Sequence, residues 1–488
     1  MEVLGNLLPG YLLESRLAVP AKVRVILDKD QVVVINPDLS DWIKLTPEAW
    51  RLVTEACEGK WPSHLAPDDS IRVLFEYLFE HQYLINMPEN MVLPQPARNG
   101  NTSFSPGPVS PSSLEKLYLN VTDRCNLNCP TCYFGSASGH GEDPLDLDTD
   151  QWHGIIDGIA SDGVQCVFIS GGEPLLRPDL INLLDHACRK FSNVVLLTNG
   201  TLITEPLASK MAQMDLRIQI SVDGSQAVLH DSIRGDGTFS AAISGINLLL
   251  SAGVKRIEIV PTITKLNIGD LAGLENLAQS LGVGYHFSLF MPVGRGKCRS
   301  RDLELTPVDL LIWAGDILDR MSSDPAWGDS AKSECPDGQK IACHGLEAPL
   351  ALIPRVSCGA GKSILSVGPD GKIYPCPLLH LPELACGNAL TDSVTSALRL
   401  TSGQIPDVDD LPGCSECDVR YFCGGGCRAG SFHERKDFLA RDPYCIFYRT
   451  LYGSFLWDWR EDEPPEKNLK QIRENFKRTI SSLKGVES

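Results

Sequence analysis

Positive charge is scarce in this sequence, and long apolar runs are missing from it. Forty-four Lys and Arg stand against 62 Asp and Glu in 488 residues, a formal net charge of −18. Such a chain is on average repelled by nucleic acid and by anionic lipid, so neither is an expected partner. No stretch of about twenty apolar residues could span a bilayer. No basic amino-terminal segment leads into a long apolar run and a small-residue cleavage site, so export is not expected and a cytoplasmic location is. A 43% hydrophobic and 22% charged composition is ordinary for folded protein, and the length suits about three domains.

Cysteine, in contrast, is plentiful. Seventeen are present, clustered at 125/129/132 and at 414/417/423/427. In a small exported chain they would predict disulfides; in a long chain without an export signal they predict metal ligands in a reducing compartment. Cys57, Cys166 and Cys188 lie in apolar or helical contexts and read as small buried residues.

At the front, 21–27 and 31–36 read as strands around a Lys-Asp turn, from β-branched enrichment and partial alternation. Thr46 caps a predicted helix over 47–58 with Pro47 at its first position, and a second helix covers about 68–83. A Pro-rich connection follows over 88–113. From 115 to about 322, predicted strands at 116–121, 165–170, 194–198, 216–221, 256–262 and 284–290 alternate with helices near 149–161, 178–190, 204–213, 239–251, 270–280 and 307–321. Six such units are too few for an eight-fold barrel.

Behind the first of these strands comes Cys125-Asn-Leu-Asn-Cys129-Pro-Thr-Cys132-Tyr133. Three soft ligands within eight residues are one short of what an iron–sulfur or tetrahedral centre wants. A cubane held by three thiolates keeps one iron open. This C-x3-C-x2-C spacing, with an aromatic after the third cysteine, resembles the signature of the radical S-adenosylmethionine (SAM) enzymes, in which the open iron chelates the amino and carboxylate groups of SAM. The resemblance implies an α/β fold with a partial (β/α)6 TIM-like barrel and an active site at the carboxyl ends of its strands. It makes Cys125, Cys129, Cys132 and Asp223 the predicted catalytic set.

The resemblance also assigns the loops after the other strands. Gly171-Gly172-Glu173-Pro174 falls at the SAM amino group, and Asn199 orders the pocket. Ser221 and Asp223 lie near the SAM carboxylate or ribose, with substrate binding or a place beside the radical site open as alternatives for Asp223. Arg234, ahead of Gly237-Thr238-Phe239, supplies a fork suited to a carboxylate. Thr262 and Met291, at the ends of the fifth and sixth strands, form a wall around the adenosine, beside Gly294-Arg295-Gly296. Taken singly, each of these residues equally suits a turn or a helix cap.

Downstream, Ile364–Val367 and Asp370–Tyr374 read as a β-hairpin with an Asp-Gly turn, bracketed by Cys358 and Cys376. Cys414-x2-Cys417-x5-Cys423-x3-Cys427 and Cys445 follow. Structural zinc would suit such pairs. The full order of seven cysteines resembles the SPASM extension of radical SAM peptide maturases, which carries two auxiliary clusters and is expected to form a spatially separate ligand set. On that resemblance Cys414, Cys417, Cys423 and Cys445 hold a distal 4Fe–4S cluster, and Cys358, Cys376 and Cys427 a nearer one. Its fourth ligand is Cys343, or Cys335, or the site stays open to substrate. With the SAM-binding cluster, three 4Fe–4S clusters are implied.

The front segment resembles the winged-helix-like, PqqD-like element that holds the leader of a precursor peptide as an added strand; a packing or dimerisation domain is the plainer alternative. The expected order is a leader-recognition domain at 1–97, a linker at 98–114, the barrel at 115–322, a bridge at 323–357, the cysteine-rich domain at 358–450 and a helical segment or tail at 451–488. The function implied is an intrapeptide crosslink, preferably a thioether, in a ribosomally made precursor peptide, with electrons from a donor such as flavodoxin or ferredoxin. Carbon–carbon crosslinking, epimerisation, quinohaemoprotein amine dehydrogenase maturation, formylglycine formation on a sulfatase and a non-catalytic iron–sulfur scaffold are the alternatives.

Overall fold

Valine and isoleucine at successive positions build the front of the molecule. The structure is a computed structural model, and it describes residues 16–20, 23–28, 31–37, 39, 41–58, 69–87, 114–134, 137–138, 146–323, 352–401, 403–460 and 462–486. The expected Lys-Asp turn, most of the linker and bridge, Cys335 and Cys343 lie outside the described residues. Strand β1 (Arg16–Ala18) precedes an antiparallel sheet of β2 (Arg24–Asp28), β3 (Gln31–Asn36) and β4 (Asp41–Leu45), and β5 (Ile85–Met87) returns to pair with β1. Two of these strands are legible from their β-branched runs; the mixed sequence Asp-Trp-Ile-Lys-Leu of β4 is not.

The period of two gives this sheet two different partners. Val32, Val34 and Leu45 face the helices Pro47–Cys57 and Asp69–Glu80, and bury Val53, Phe75 and Leu78. Ile26, Val33 and Ile35 face the other way, onto Val408, Val419, Tyr421, Phe422 and Leu456 of the carboxyl-terminal region. Burial on both faces explains why Val32–Ile35 is apolar throughout instead of alternating.

The middle of the chain is a parallel sheet. After β6 (Lys116–Asn120), the short pair β7 (Arg124–Cys125) and β8 (Ala137–Ser138) brackets the cysteine loop. Then β9 (Cys166–Ser170), β10 (Asn193–Thr198), β11 (Leu216–Ile220) and β12 (Arg256–Ile259) follow, each paired in parallel with its neighbour. Val260-Pro261 ends β12, since proline has no N–H to give the ladder. The expected fifth strand therefore breaks into β12 and β13 (Thr262–Ile263), and the sixth into β14 (Gly284–Tyr285) and β15 (Ser288–Leu289). Outward-facing Leu117, Leu119, Val167, Ile169, Val194, Leu196, Ile218 and Ile220 pack under the helices in the main core. Inward-facing Tyr118, Cys166, Phe168 and Val195 form a smaller cluster in the lumen. This is a six-stranded partial barrel.

The cysteine-rich hairpin is not set apart in space, as its position in the sequence suggests. Strand β16 (Ile364–Val367) pairs in parallel with β6, with Leu365 opposite Leu117, and β17 (Lys372–Tyr374) and β18 (Gly387–Asn388) continue the sheet. The nine strands run β14-β12-β11-β10-β9-β6-β16-β17-β18. The open edge of β6 carries N–H and C=O groups that need partners, and the hairpin supplies them. Gly371 makes the expected turn with φ +80°.

The chain ends in the helices Cys445–Gly453 and Pro465–Val486. The latter buries Leu469, Ile472 and Phe476 in the main core, which also takes in Leu310 and Leu311 of the helix Pro307–Ser323. No helix among the described residues is long and apolar enough to cross a membrane.

Candidate active site

Three half-buried thiols lie on the loop between β6 and the helix Thr149–Ser161, at the carboxyl end of the parallel sheet. Two glycines hold that loop in place. A Cβ on Gly171 would lie 2.4 Å from the carbonyl oxygen of Thr122, and one on Gly172 only 2.1 Å from that of Arg124. The approach lets Gly172 N–H donate to Thr122 O and Glu173 N–H to Arg124 O, both at 2.7 Å. From the far side, Gly294 abuts Tyr133 O, and Arg295 Nη1 donates to Cys129 O at 3.0 Å.

Glu173 is fully buried and multiply bonded. Its Oε1 accepts from Thr198 Oγ1 at 2.7 Å and from Leu175 N–H at 3.0 Å, and its Oε2 accepts from Asn199 N–H at 2.7 Å. Burial raises its carboxyl above the usual range against the pull of those donors. The Asn199 side chain in turn donates to Asn126 Oδ1 at 2.9 Å, inside the cysteine loop. A continuous chain of bonds thus links Glu173, Asn199 and the loop.

Asp223 is the second buried junction. Its Oδ2 accepts from Arg234 Nε at 2.7 Å and its Oδ1 from Thr262 N–H at 2.8 Å. Its own N–H donates to His230 Nδ1 at 3.1 Å, and its carbonyl accepts from Asn267 Nδ2 at 2.9 Å. The Arg234 pKa is raised: burial opposes the charge, while Asp223 and then Cys129 favour it. The guanidinium therefore stands beside the cysteine loop. Ser221, half-buried, donates its N–H to Thr198 O at 3.0 Å. Met291 reaches further than expected: its Cε would lie 2.3 Å from a Cβ on Gly430, in the helix Arg428–Arg435 that Cys427 caps.

Burial pushes the Cys125 thiol up to about 11, and the nearby Glu173, Cys129 and Cys132 add to the effect against a Leu127 N–H that donates to Sγ at 3.4 Å. Cys129 is raised too, chiefly by burial. Soft donors kept from ionising by burial and by one another suit a multiply charged cationic cluster, which would hold them as thiolates.

The carboxyl-terminal cysteines fall into two groups. Cys358, Cys376 and Cys427 share one packed cluster. Burial and then mutual repulsion raise Cys376 well above the ordinary thiol value, and burial with Cys358 nearby pushes Cys427 up to about 12. Cys414, Cys417, Cys423 and Cys445 form the other, and burial, with Asp442 and Cys445 nearby, puts Cys423 at about 12. Gly424, Gly425 and Gly426 turn the chain from Cys423 to Cys427 with φ of +66°, +79° and +72°, a run that other residues resist. Among the described residues no three His, Cys, Asp or Glu converge on a single ion. Soft thiols grouped in this way fit iron–sulfur clusters in the chemistry of their donors.

Several contributors carry no sequence signal. Asn126 and Asn267 act through partners remote in the chain, and the helix Ala227–Arg234 that presents His230 to Asp223 has no side-chain cap to announce it.

Residues 119–278 match the radical SAM superfamily. The chain is 32% identical over 337 residues to the mycofactocin maturase MftC of Mycobacterium tuberculosis, covering 68% of this chain and 82% of that one. It is also 32% identical over 347 residues to an AdoMet-dependent haem synthase of Methanosarcina barkeri, covering 67% and 95%. In fold it is similar to Streptococcus suis SuiB bound to the precursor peptide SuiA, with a TM-score of 0.52 and 16% identity over 88% of this chain and 99% of that one. The chain is a radical SAM oxidoreductase, and it belongs to the SPASM-type family that includes the mycofactocin maturases.

Proposed function

We propose that this enzyme binds SAM at Cys125, Cys129 and Cys132 and oxidises a ribosomally made precursor peptide to install an intrapeptide link. The observation that carries the reading is the joining of three parts: a three-thiol loop gripped at the mouth of a partial barrel, two further thiol groups, and a front sheet docked on the second of them. The similarity to MftC and the peptide-bound SuiB fold support a peptide substrate. A reduced cluster and SAM, when bound, supply the hydrogen-abstracting radical chemistry.

The chain's own work is positioning. Gly171, Gly172 and Gly294 fix the backbone of the cysteine loop, and Glu173 and Asn199 hold its inner turn. Arg234, oriented by Asp223, offers a cation beside Cys129 for a carboxylate. Ser221 and Thr262 border the same pocket, and Met291 spans toward Cys427. Cys414, Cys417, Cys423 and Cys445 would hold one auxiliary cluster and Cys358, Cys376 and Cys427 the other. The sheet β2–β3–β4 would take the leader as an added strand, and a flavodoxin- or ferredoxin-type protein would supply electrons.

The bond made is a carbon–carbon or other peptide link ahead of a thioether. Carbon–carbon closure asks only for hydrogen abstraction and a second electron acceptor. The equal identity to a haem synthase favours a second reading, oxidation of a tetrapyrrole, in which the front sheet is a structural support.

Anaerobically reconstituted protein with reductant and SAM should release 5′-deoxyadenosine, and the triple Ala variant at Cys125, Cys129 and Cys132 should not. Co-expression with a precursor should give a peptide lighter by two hydrogens, its ends located by fragmentation. SAM cleavage by the triple variant would sink the assignment.

A further inference from the structure

We propose that the basic strip 295–301 is the docking surface for a small acidic one-electron carrier protein, which there reduces the cluster held by Cys125, Cys129 and Cys132. The proposal rests on the reading above, in which those thiols hold a cluster fed with electrons from outside the chain. Arg295, Lys297, Arg299 and Arg301 put four cations into seven residues that include no acid. The whole chain averages about one cation in eleven residues and carries a net charge of −18, so the strip reverses the sign of its surroundings. Lys297, Arg299 and Arg301 are exposed, and Arg295 is half-buried. Asp302, next in the chain, accepts from Arg299 Nε at 3.0 Å and offsets one of the four charges. Glu304, just beyond, faces Glu434 and Lys265, so positive charge stays in excess on the strip.

A run of charge is usually no more than a solvated face; this one is set apart by its place against the cysteine loop. Gly296 N–H donates to Cys132 O at 3.3 Å, and Arg295 Nη1 donates to Cys129 O at 3.0 Å. Exposed Lys297 is therefore one peptide bond and one hydrogen bond from the backbone of a cluster cysteine. Its Nζ donates the other way, to His433 O at 2.9 Å, in the helix Arg428–Arg435 that Cys427 caps. The strip thus runs over the surface from the first cysteine loop to the helix that begins at the nearer auxiliary thiols.

Electrons have to enter through the surface, and a carrier protein delivers them best where the layer over the cluster is thin. Electron-transfer encounters bury little area and are weak, so a few complementary charges are enough to steer them. Charges farther than about 8 Å are screened at physiological salt. A small carrier therefore senses the strip more than the acidic surface around it, whereas a long polyanion would meet that surface as well. Docking makes and breaks no covalent bond: one electron leaves the reduced carrier and enters the cluster. The distal thiols are less open to such a carrier, since Cys417 and Cys423 pack with Ile26, Val33 and Ile35 of the front sheet.

Calorimetric titration of the reconstituted full chain with oxidised flavodoxin, and with oxidised plant-type ferredoxin, reads docking without turnover. At least one should bind the wild type, and more weakly as salt is raised. Joint Lys297→Glu and Arg301→Glu replacement should weaken that binding roughly tenfold or more, because like charges then face each other across the interface. Arg449→Glu, an exposed reversal beside the distal Cys417, should not. Release of 5′-deoxyadenosine driven by the reduced carrier should fall with the binding, while release driven by dithionite, which needs no docking, holds. Undiminished binding by the double variant, weakening by Arg449→Glu instead, or failure of both carriers to bind the wild type overturns the proposal. An equal fall in dithionite-driven and carrier-driven release makes the strip a support for the loop and overturns it too. If dithionite draws no 5′-deoxyadenosine from the wild type, the SAM reading falls, while the binding comparison still decides the docking surface.

Discussion

Trp42 of the front sheet meets Phe422 edge to face, with ring centroids 5.6 Å apart, and Phe422 is the residue immediately before Cys423. Arg24 of the same sheet pairs with Asp409, which also accepts from Arg420 and Tyr421. The proposed leader-binding unit is thus one wall of the distal cysteine group. Trp42→Ala should lower unfolding stability by roughly 1–3 kcal/mol, the range for a partly buried aromatic losing its packing and its ring partner. Chemical denaturation checks this; a midpoint unchanged from wild type would show that the contact contributes nothing.

Gly172→Ala should be far more damaging to SAM cleavage than its size suggests. The added Cβ meets the Arg124 carbonyl at 2.1 Å, and a backbone atom cannot swing aside as a side chain can. The cysteine loop must then shift. Release of 5′-deoxyadenosine should fall by about 100-fold or more, the usual result of misplacing a reacting group by an ångström, while absorbance from the auxiliary clusters persists. Wild-type release would contradict the grip described for this loop.

His230 gives the protein an acid-side weakness. Its Nδ1 must stay unprotonated to accept from Asp223 N–H, and burial lowers its pKa to about 4. Between that value and the ordinary histidine value of about 6.5 the unfolded chain binds the extra proton and the folded chain does not. Stability should therefore fall as pH drops through this window, by up to roughly 3 kcal/mol from this residue. His230→Asn keeps an acceptor without titrating and should flatten the melting temperature across the same range.

Iron content separates the two thiol groups. Removing Cys414 and Cys417 together should cost about four irons per chain, as should removing Cys358 and Cys376, if each group holds one 4Fe–4S cluster. Cys57→Ser and Cys188→Ser should leave iron unchanged. Loss of a single metal from either pair would point to zinc instead.

Legibility from the sequence followed the range of the interactions. The helices Thr149–Ser161 and Pro307–Ser323 carry their own periodicity and caps, and so does the hairpin around Gly371. The cysteine groups are legible because ligand chemistry needs particular residue types at particular spacings. The pairing of β16 with β6 is not, since parallel register between strands some 250 residues apart leaves no local mark. Asn120 shows the same limit: nothing near it in the chain foretells its bonds to Ser366 and His380.

The three glycines between Cys423 and Cys427 have a consequence for tolerance to change. All three lie at positive φ, and Cβ atoms at Gly424 and Gly426 would strike Ser357 O and Asp442 respectively. The segment has neither a side chain to alter nor slack to lengthen it. An inserted residue there would displace the two thiol groups relative to one another, so variation in this region must be sought outside that turn.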